Sequence, residues 1–114
     1  MRRDDQVRLR HMLEAAREAI SFARGRTRTD LDSDRMLVLS LVKDIEIVGE
    51  AAYQLNEATR VELSTVPWAD IIAMRHRLVH AYFDISLDVL WQTVQKDLPP
   101  LVTMLEAILS PEED

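Results

Sequence analysis

The sequence has no cysteine, which excludes disulfides, thiolate metal sites and cysteine nucleophiles together. A small domain without disulfides is expected in the cytoplasm. Glycine occurs twice and proline four times, too few for a turn-rich β-sandwich or barrel, so long helices are expected instead. Long apolar runs are also missing. The stretch from Leu98 to Leu105, bounded by Asp97 and Glu106, falls far short of the ~20 residues a membrane span needs. The opening Met1-Arg2-Arg3-Asp4-Asp5 turns acidic at once, without the apolar segment of a secretory signal.

What is present is the composition of an ordinary folded domain. Hydrophobic residues make up 47% and charged residues 30% of 114 residues, which suits one domain, 1–114, with one core. The net charge of −6 is unevenly spread. Residues 1–35 carry nine arginines against seven acids, whereas residues 36–114 carry five basic residues against thirteen acids. Bulk charge is therefore no basis for binding nucleic acid, and any such activity needs a local site.

The apolar periodicity predicts four helices and no strand. The first spans about Asp5 to Arg24, with Leu9, Leu13, Ala16, Ile20 and Ala23 on one stripe and Gly25 as its stop. The second runs from about Asp32 to Ala58, capped by Asp30, Asp32 or Ser33, with Leu37, Leu41, Ile45, Val48, Ala52 and Leu55 in register. The third opens at Pro67 and carries Trp68, Ile71, Ile72, Arg75, Val79 and Tyr82 on one face. The fourth starts at a Ser86 cap, runs through Leu90, Val94, Leu98 and Leu105 to Ile108, and is expected to kink at Pro99-Pro100. The fold class is an all-α, up-and-down bundle of four main helices with a kinked last helix. Met12, Met36, Met74 and Met104 are expected in its core.

Chemistry concentrates in Met74-Arg75-His76-Arg77-Leu78-Val79-His80-Ala81-Tyr82. On a continuous helix Arg75 and Tyr82 lie about 20° apart, and His80 converges on Arg75 only if the helix ends or distorts near Val79–Tyr82. Arginine forks onto phosphate oxygens and stabilises developing charge, and histidine moves protons near neutral pH, which together suit metal-free phosphodiester cleavage. The same residues would equally serve a helix end paired with acids. His76 and His80 have the i, i+4 spacing of metal ligands, but no Glu follows His76 and the metalloprotease pattern is absent. Glu46 and Glu50 form a second i, i+4 pair, either a solvated edge or a means for Glu50 to reach and orient Arg75. The turn Arg24-Gly25-Arg26-Thr27-Arg28 could touch phosphates or simply be solvated.

Arg75-x-x-x-x-His80-x-Tyr82 resembles the signature of HepT-like toxins of the HEPN superfamily. Ile47-Val48-Gly49-Glu50-Ala51-Ala52, Pro67-Trp68-x-x-Ile71, His80-Ala81-Tyr82-Phe83, Leu90-Trp91 and Asp97-Leu98-Pro99-Pro100-Leu101 match as well, in order, over nearly the whole chain. The resemblance implies a dimerising helical bundle that acts as a cofactor-free, metal-independent endoribonuclease on RNA. Arg75 and His80 would be catalytic, and His76 and Glu50 would support them. Gly49 would permit close helix approach. The expected partner is a minimal nucleotidyltransferase (MNT) antitoxin that transfers AMP to Tyr82. The alternative within the superfamily is a non-catalytic helical module that binds nucleotide or a nucleotidyltransferase, and intact Arg75 and His80 favour the enzyme.

Overall fold

The computed structural model describes residues 1–81 and 84–109, and of residues 79–81 the backbone. Its first helix, α1 (Arg3–Ala23), buries Leu9, Met12, Leu13, Ala15, Ala16, Ala19 and Ala23. It stops before Gly25, whose φ of 75° is the left-handed conformation only glycine adopts cheaply. The short α2 (Asp30–Ser33) follows.

The expected second helix is divided. Asp34 caps α3 (Arg35–Gln54) by accepting from the Leu37 amide at 3.0 Å. The chain then turns extended at Leu55, and Asn56 caps α4 (Glu57–Glu62) by accepting from the Ala58 amide at 2.9 Å. Neither cap was among those expected, because Asp30, Asp32 and Ser33 fall inside α2.

Helix α5 (Trp68–Leu78) begins directly after Pro67, and the Trp68 indole donates to the Leu63 carbonyl at 3.0 Å. It ends four residues before Tyr82, correcting the expected helix. The backbone enters β1 (Val79–Ala81), paired antiparallel with β2 (Asp84–Ile85) in register Val79–Ile85 and Ala81–Asp84. This hairpin also corrects the expectation of no strand. Ser86 then caps α6 (Leu87–Gln92) as expected.

The last apolar stripe continues through a π-helical segment, Thr93–Asp97, into α7 (Leu98–Ile108). Pro99 and Pro100 sit in the first turn of α7, where their absent amides cost least. The wider turn before them accommodates what was expected to be a simple kink.

The described residues are thus almost entirely helical, which is an all-α fold. Asp5 near the start of α1 bonds Asn56 and Thr59 beyond the end of α3, so α1 and α3 run antiparallel. Arg75 on α5 meets Glu46 on α3, and Arg17 on α1 bonds Glu106 on α7. The order across the molecule is α5, α3, α1, α7. Met12 and Met74 lie in the core and Met104 packs partly against it, but Met36 is 81% exposed, contrary to expectation. No helix among the described residues is long and apolar enough to cross a membrane.

Two buried carboxylates sit between helices. Burial alone would raise the Asp5 pKa, but hydrogen bonds from Thr59 at 2.6 Å, the Asn56 amide at 3.2 Å and Arg8 at 3.3 Å outweigh it and hold the carboxyl below its ordinary range. Asp44, on α3, is equally buried but has an Oδ2 with no partner. Desolvation, with Glu18 beside it, pushes its pKa up to about 7.

A group with a depressed folded pKa stabilises above its unfolded pKa, and that stability is lost as pH falls through the folded value. Asp5→Ala should therefore cost about 2–4 kcal/mol near neutral pH, since it orphans the Thr59 hydroxyl and Asn56 amide. The variant should also lose less of its stability below pH 4 than the wild type. Urea unfolding across that pH range reads both effects.

Candidate functional site

The outward face of α3 is the floor of an open cleft of about 780 Å³, walled by α1 and α5. From α5 it receives Ile72, Arg75 and His76, from α3 Lys43, Glu46, Gly49 and Glu50 among others, and from α1 Arg8 and His11. Periodicity explains the grouping. Residues 43, 46, 47, 50 and 54 fall on one side of α3, opposite the buried Leu41, Ile45, Val48 and Ala52.

Arg75 is held through one edge only. Its Nε donates to Glu46 Oε2 at 3.1 Å, and among the described residues its two terminal nitrogens have no acceptor. A guanidinium pinned at Nε keeps its outer fork available for a bidentate oxyanion such as phosphate. The carboxylate that orients Arg75 is therefore Glu46, not Glu50, which accepts from Gln54 at 2.9 Å one turn away. Glu50 still lines the cleft, as does His76, so both expected supporting residues share it with Arg75.

His80 lies on β1, beyond the end of α5. The i, i+4 helical relation to His76 is thus broken. A helix end in this region is what convergence of His80 with Arg75 required. The His80 side chain and Tyr82 lie outside the described residues. Gly49 faces α5, but a Cβ there would stand 3.7 Å from the Ile71 and Ile72 carbonyl oxygens, an ordinary contact. Close approach does not demand glycine at that position. Among the described residues no three carboxylate or imidazole groups converge as a metal site would need.

Two of the three arginines of the basic turn before α2 are already engaged by carboxylates. Arg26 bonds Asp34 at 2.7 Å and Asp30 at 3.3 Å, while Arg28 bonds Asp88 at 2.7 Å and Asp32 at 3.1 Å. These contacts make it a structural clasp that also ties the turn to α6. Lys43, Arg8 and His11 are the cleft residues that sequence reasoning missed. Lys43 carried a signal, being three residues before Glu46 on the same helical face. Arg8 and His11 carried none, because their membership depends on how α1 packs on α3.

The Arg75–Glu46 pair is about half exposed on both sides, so it contributes little to folding. Arg75→Ala should change unfolding free energy by less than about 1 kcal/mol, and circular dichroism during urea titration checks this. A large loss would mean that the arginine serves the fold.

Comparison with known proteins identifies the family. A family model described as ribonuclease HepT-like matches residues 12–108. The chain is 33% identical over 105 residues to TTE0752, a candidate RNase of Caldanaerobacter subterraneus subsp. tengcongensis, covering 92% of this chain and 94% of that one. It is 31% identical to "Probable ribonuclease HepT" of Thermococcus cleftensis, covering 95% and 98%. It is 29% identical to MJ1380, a candidate RNase of Methanocaldococcus jannaschii, covering 94% and 98%. No solved structure matches.

Proposed function

The chain belongs to the ribonuclease HepT-like family, and from that premise we propose that it is the toxin of a toxin–antitoxin pair, a metal-independent endoribonuclease acting through Arg75 and His80. The observation that carries this reading is the Arg75 guanidinium, pinned through Nε by Glu46 at the wall of an open cleft, with its outer fork unengaged among the described residues.

In the reaction, His80 takes the proton of a ribose 2′-hydroxyl, and the 2′-oxygen attacks the adjacent phosphorus. The bond to the 5′-oxygen breaks as that oxygen receives a proton. The products are a 2′,3′-cyclic phosphate and a free 5′-hydroxyl. Arg75 stabilises the charge that builds on the equatorial oxygens. A base and an acid are both required, and one chain supplies a single motif histidine. A homodimer that brings two copies of Arg75 and His80 together would supply both.

Cleavage of a defined RNA should persist in EDTA and yield the cyclic phosphate. Arg75→Ala should lose about 2–4 kcal/mol of transition-state stabilisation, roughly 30- to 1,000-fold in rate. His80→Ala should remove most turnover, and His76→Ala should cost much less. Full activity in the Arg75 and His80 variants, or loss on chelation, refutes the assignment.

Tyr82 is the regulatory handle in this reading. A phenol with a pKa near 10 is a poor base at neutral pH, so catalysis does not require it. AMP attached there by the antitoxin adds bulk and negative charge two residues from His80, competing with RNA for the arginine. Intact-mass spectrometry after co-expression with a nucleotidyltransferase antitoxin should find AMP adducts on the wild type and none on Tyr82→Phe. Adducts that persist in the variant place the handle elsewhere.

A further inference from the structure

Arginine recurs at every seventh position along α1 and its cap, at Arg3, Arg10, Arg17 and Arg24, and all four residues are exposed. Seven residues rise ~10.5 Å and turn the next position by about 20°, so the four form one row ~32 Å long. Arg10 stands on the crest of α1 beside His11, which lines the cleft, and from there the row drifts away from the cleft toward α7. Arg17 meets Glu106 of α7 in a pair about half exposed on both sides. Arg3, Arg10 and Arg24 have no carboxylate within 4.0 Å among the described residues. Glu14, the acid nearest the row on the helix, lies in a pocket on the α3 side with His11, Glu18 and Asp44. A single exposed arginine is ordinarily just solvated. Four in register make a local line of positive charge on a chain whose net charge is −6.

The row ends at a hollow. Arg24 shares a pocket of about 220 Å³ with Ile20 and Ala23 of α1, Val94 and Gln95 of the π-helical segment, and Pro99 of α7. Its apolar walls suit the faces of a nucleobase, and the exposed Gln95 amide offers a donor and an acceptor to the base edge. A cationic line for the backbone and a slot for a base are together what holds a single strand. Glu14 and Glu18 flank the row on its cleft side and would repel a second backbone, which disfavours a duplex. An anionic lipid surface fits less well, because the exposed large hydrophobics of α1 are Val7 and Phe22, about four turns apart.

We infer that α1 is a track for single-stranded RNA outside the cleft, with backbone phosphates along Arg3, Arg10, Arg17 and Arg24 and one base in the Gln95 pocket. The identity of the strand rests on the ribonuclease reading, while the track itself rests on the spacing and pairing of the arginines. Because the row begins next to His11, it guides a strand into the cleft and lengthens the RNA that the protein grips beyond the nucleotides it cuts.

Fluorescence anisotropy with a 2′-O-methyl strand of about twelve nucleotides, long enough to span the row, tests binding without cleavage. Arg10→Gln/Arg24→Gln, at positions without partners in the fold, should bind roughly tenfold more weakly and lower the slope of log affinity against log salt by about 1.4. Lysine at both positions should restore affinity and slope. Glu106→Gln frees Arg17 and should tighten binding, which a merely structural pair would not do. On the cleavable strand the glutamine variant should raise KM and leave kcat unchanged, while cleavage of a dinucleotide, too short to reach the row, stays at the wild-type rate. Wild-type affinity and salt slope in the glutamine variant overturn the track and leave the nuclease intact. Equal losses on the long strand and the dinucleotide also overturn it, since the arginines would then serve the cleft or the fold. Arginine-dependent binding of a strand that is never cut supports the track and refutes the nuclease. Arginine-dependent binding to phosphatidylserine vesicles without binding to RNA overturns the track in favour of a lipid surface.

Discussion

The antiparallel contact between α1 and α3 is what the remaining elements rest on. Ala15, Ala16, Ala19 and Ala23 give α1 a buried surface of small side chains, which lets neighbouring backbones come close. Leu41, Ile45, Val48 and Ala52 present α3's answering stripe, all of them fully excluded from water. Asp5 fastens one end of this pair to the segment opening α4. With α7 placed beside α1 and α5 beside α3, the one side of α3 left uncovered becomes the cleft floor. The position of Arg75 over Glu46 is therefore a consequence of core packing at some distance from it.

The two buried aspartates show how differently one residue type behaves in that core. Asp5 is surrounded by donors that outweigh the cost of its burial, and it acts as a joint. Asp44 receives no such compensation among the described residues, and its pKa is pushed up to about 7 instead. A fully satisfied polar group rigidifies a structure, while an unsatisfied one is a standing penalty. That penalty lies on the surface-facing seam of the same two helices, beside the cleft and not deep beneath it.

Much of the fold was legible because its helices carry regular apolar stripes. Leu9, Leu13 and Ala16 defined α1, and Leu37 through Ala52 defined α3. Boundaries were less legible where a local hydrogen bond competed with the stripe. Leu55 continues the apolar pattern of α3, yet the Asn56 side chain starts a new helix there. Val79 continues that of α5, yet the β-branched residue pairs with Ile85 in a hairpin. The site was legible in kind but not in detail. Arg75 and His76 do share a cleft, whereas the choice between Glu46 and Glu50 turns on one helical turn, ~5.4 Å, of register between α3 and α5. A single sequence does not encode that register in any local signal.

The hairpin after α5 gives the interval between Arg75 and His80 a mechanical meaning. The arginine is carried by a helix whose rise is small per residue, and the histidine by a strand whose rise is more than twice as large. Lengthening α5 at its start would carry both residues along together. One residue inserted between Leu78 and His80 would instead change the reach of the strand and shift the register in which it pairs with Ile85. Natural variation in chain length should therefore be tolerated in the loop before Pro67 and nearly forbidden across these few positions. What looks on paper like a count of intervening residues is a gear ratio between two kinds of backbone.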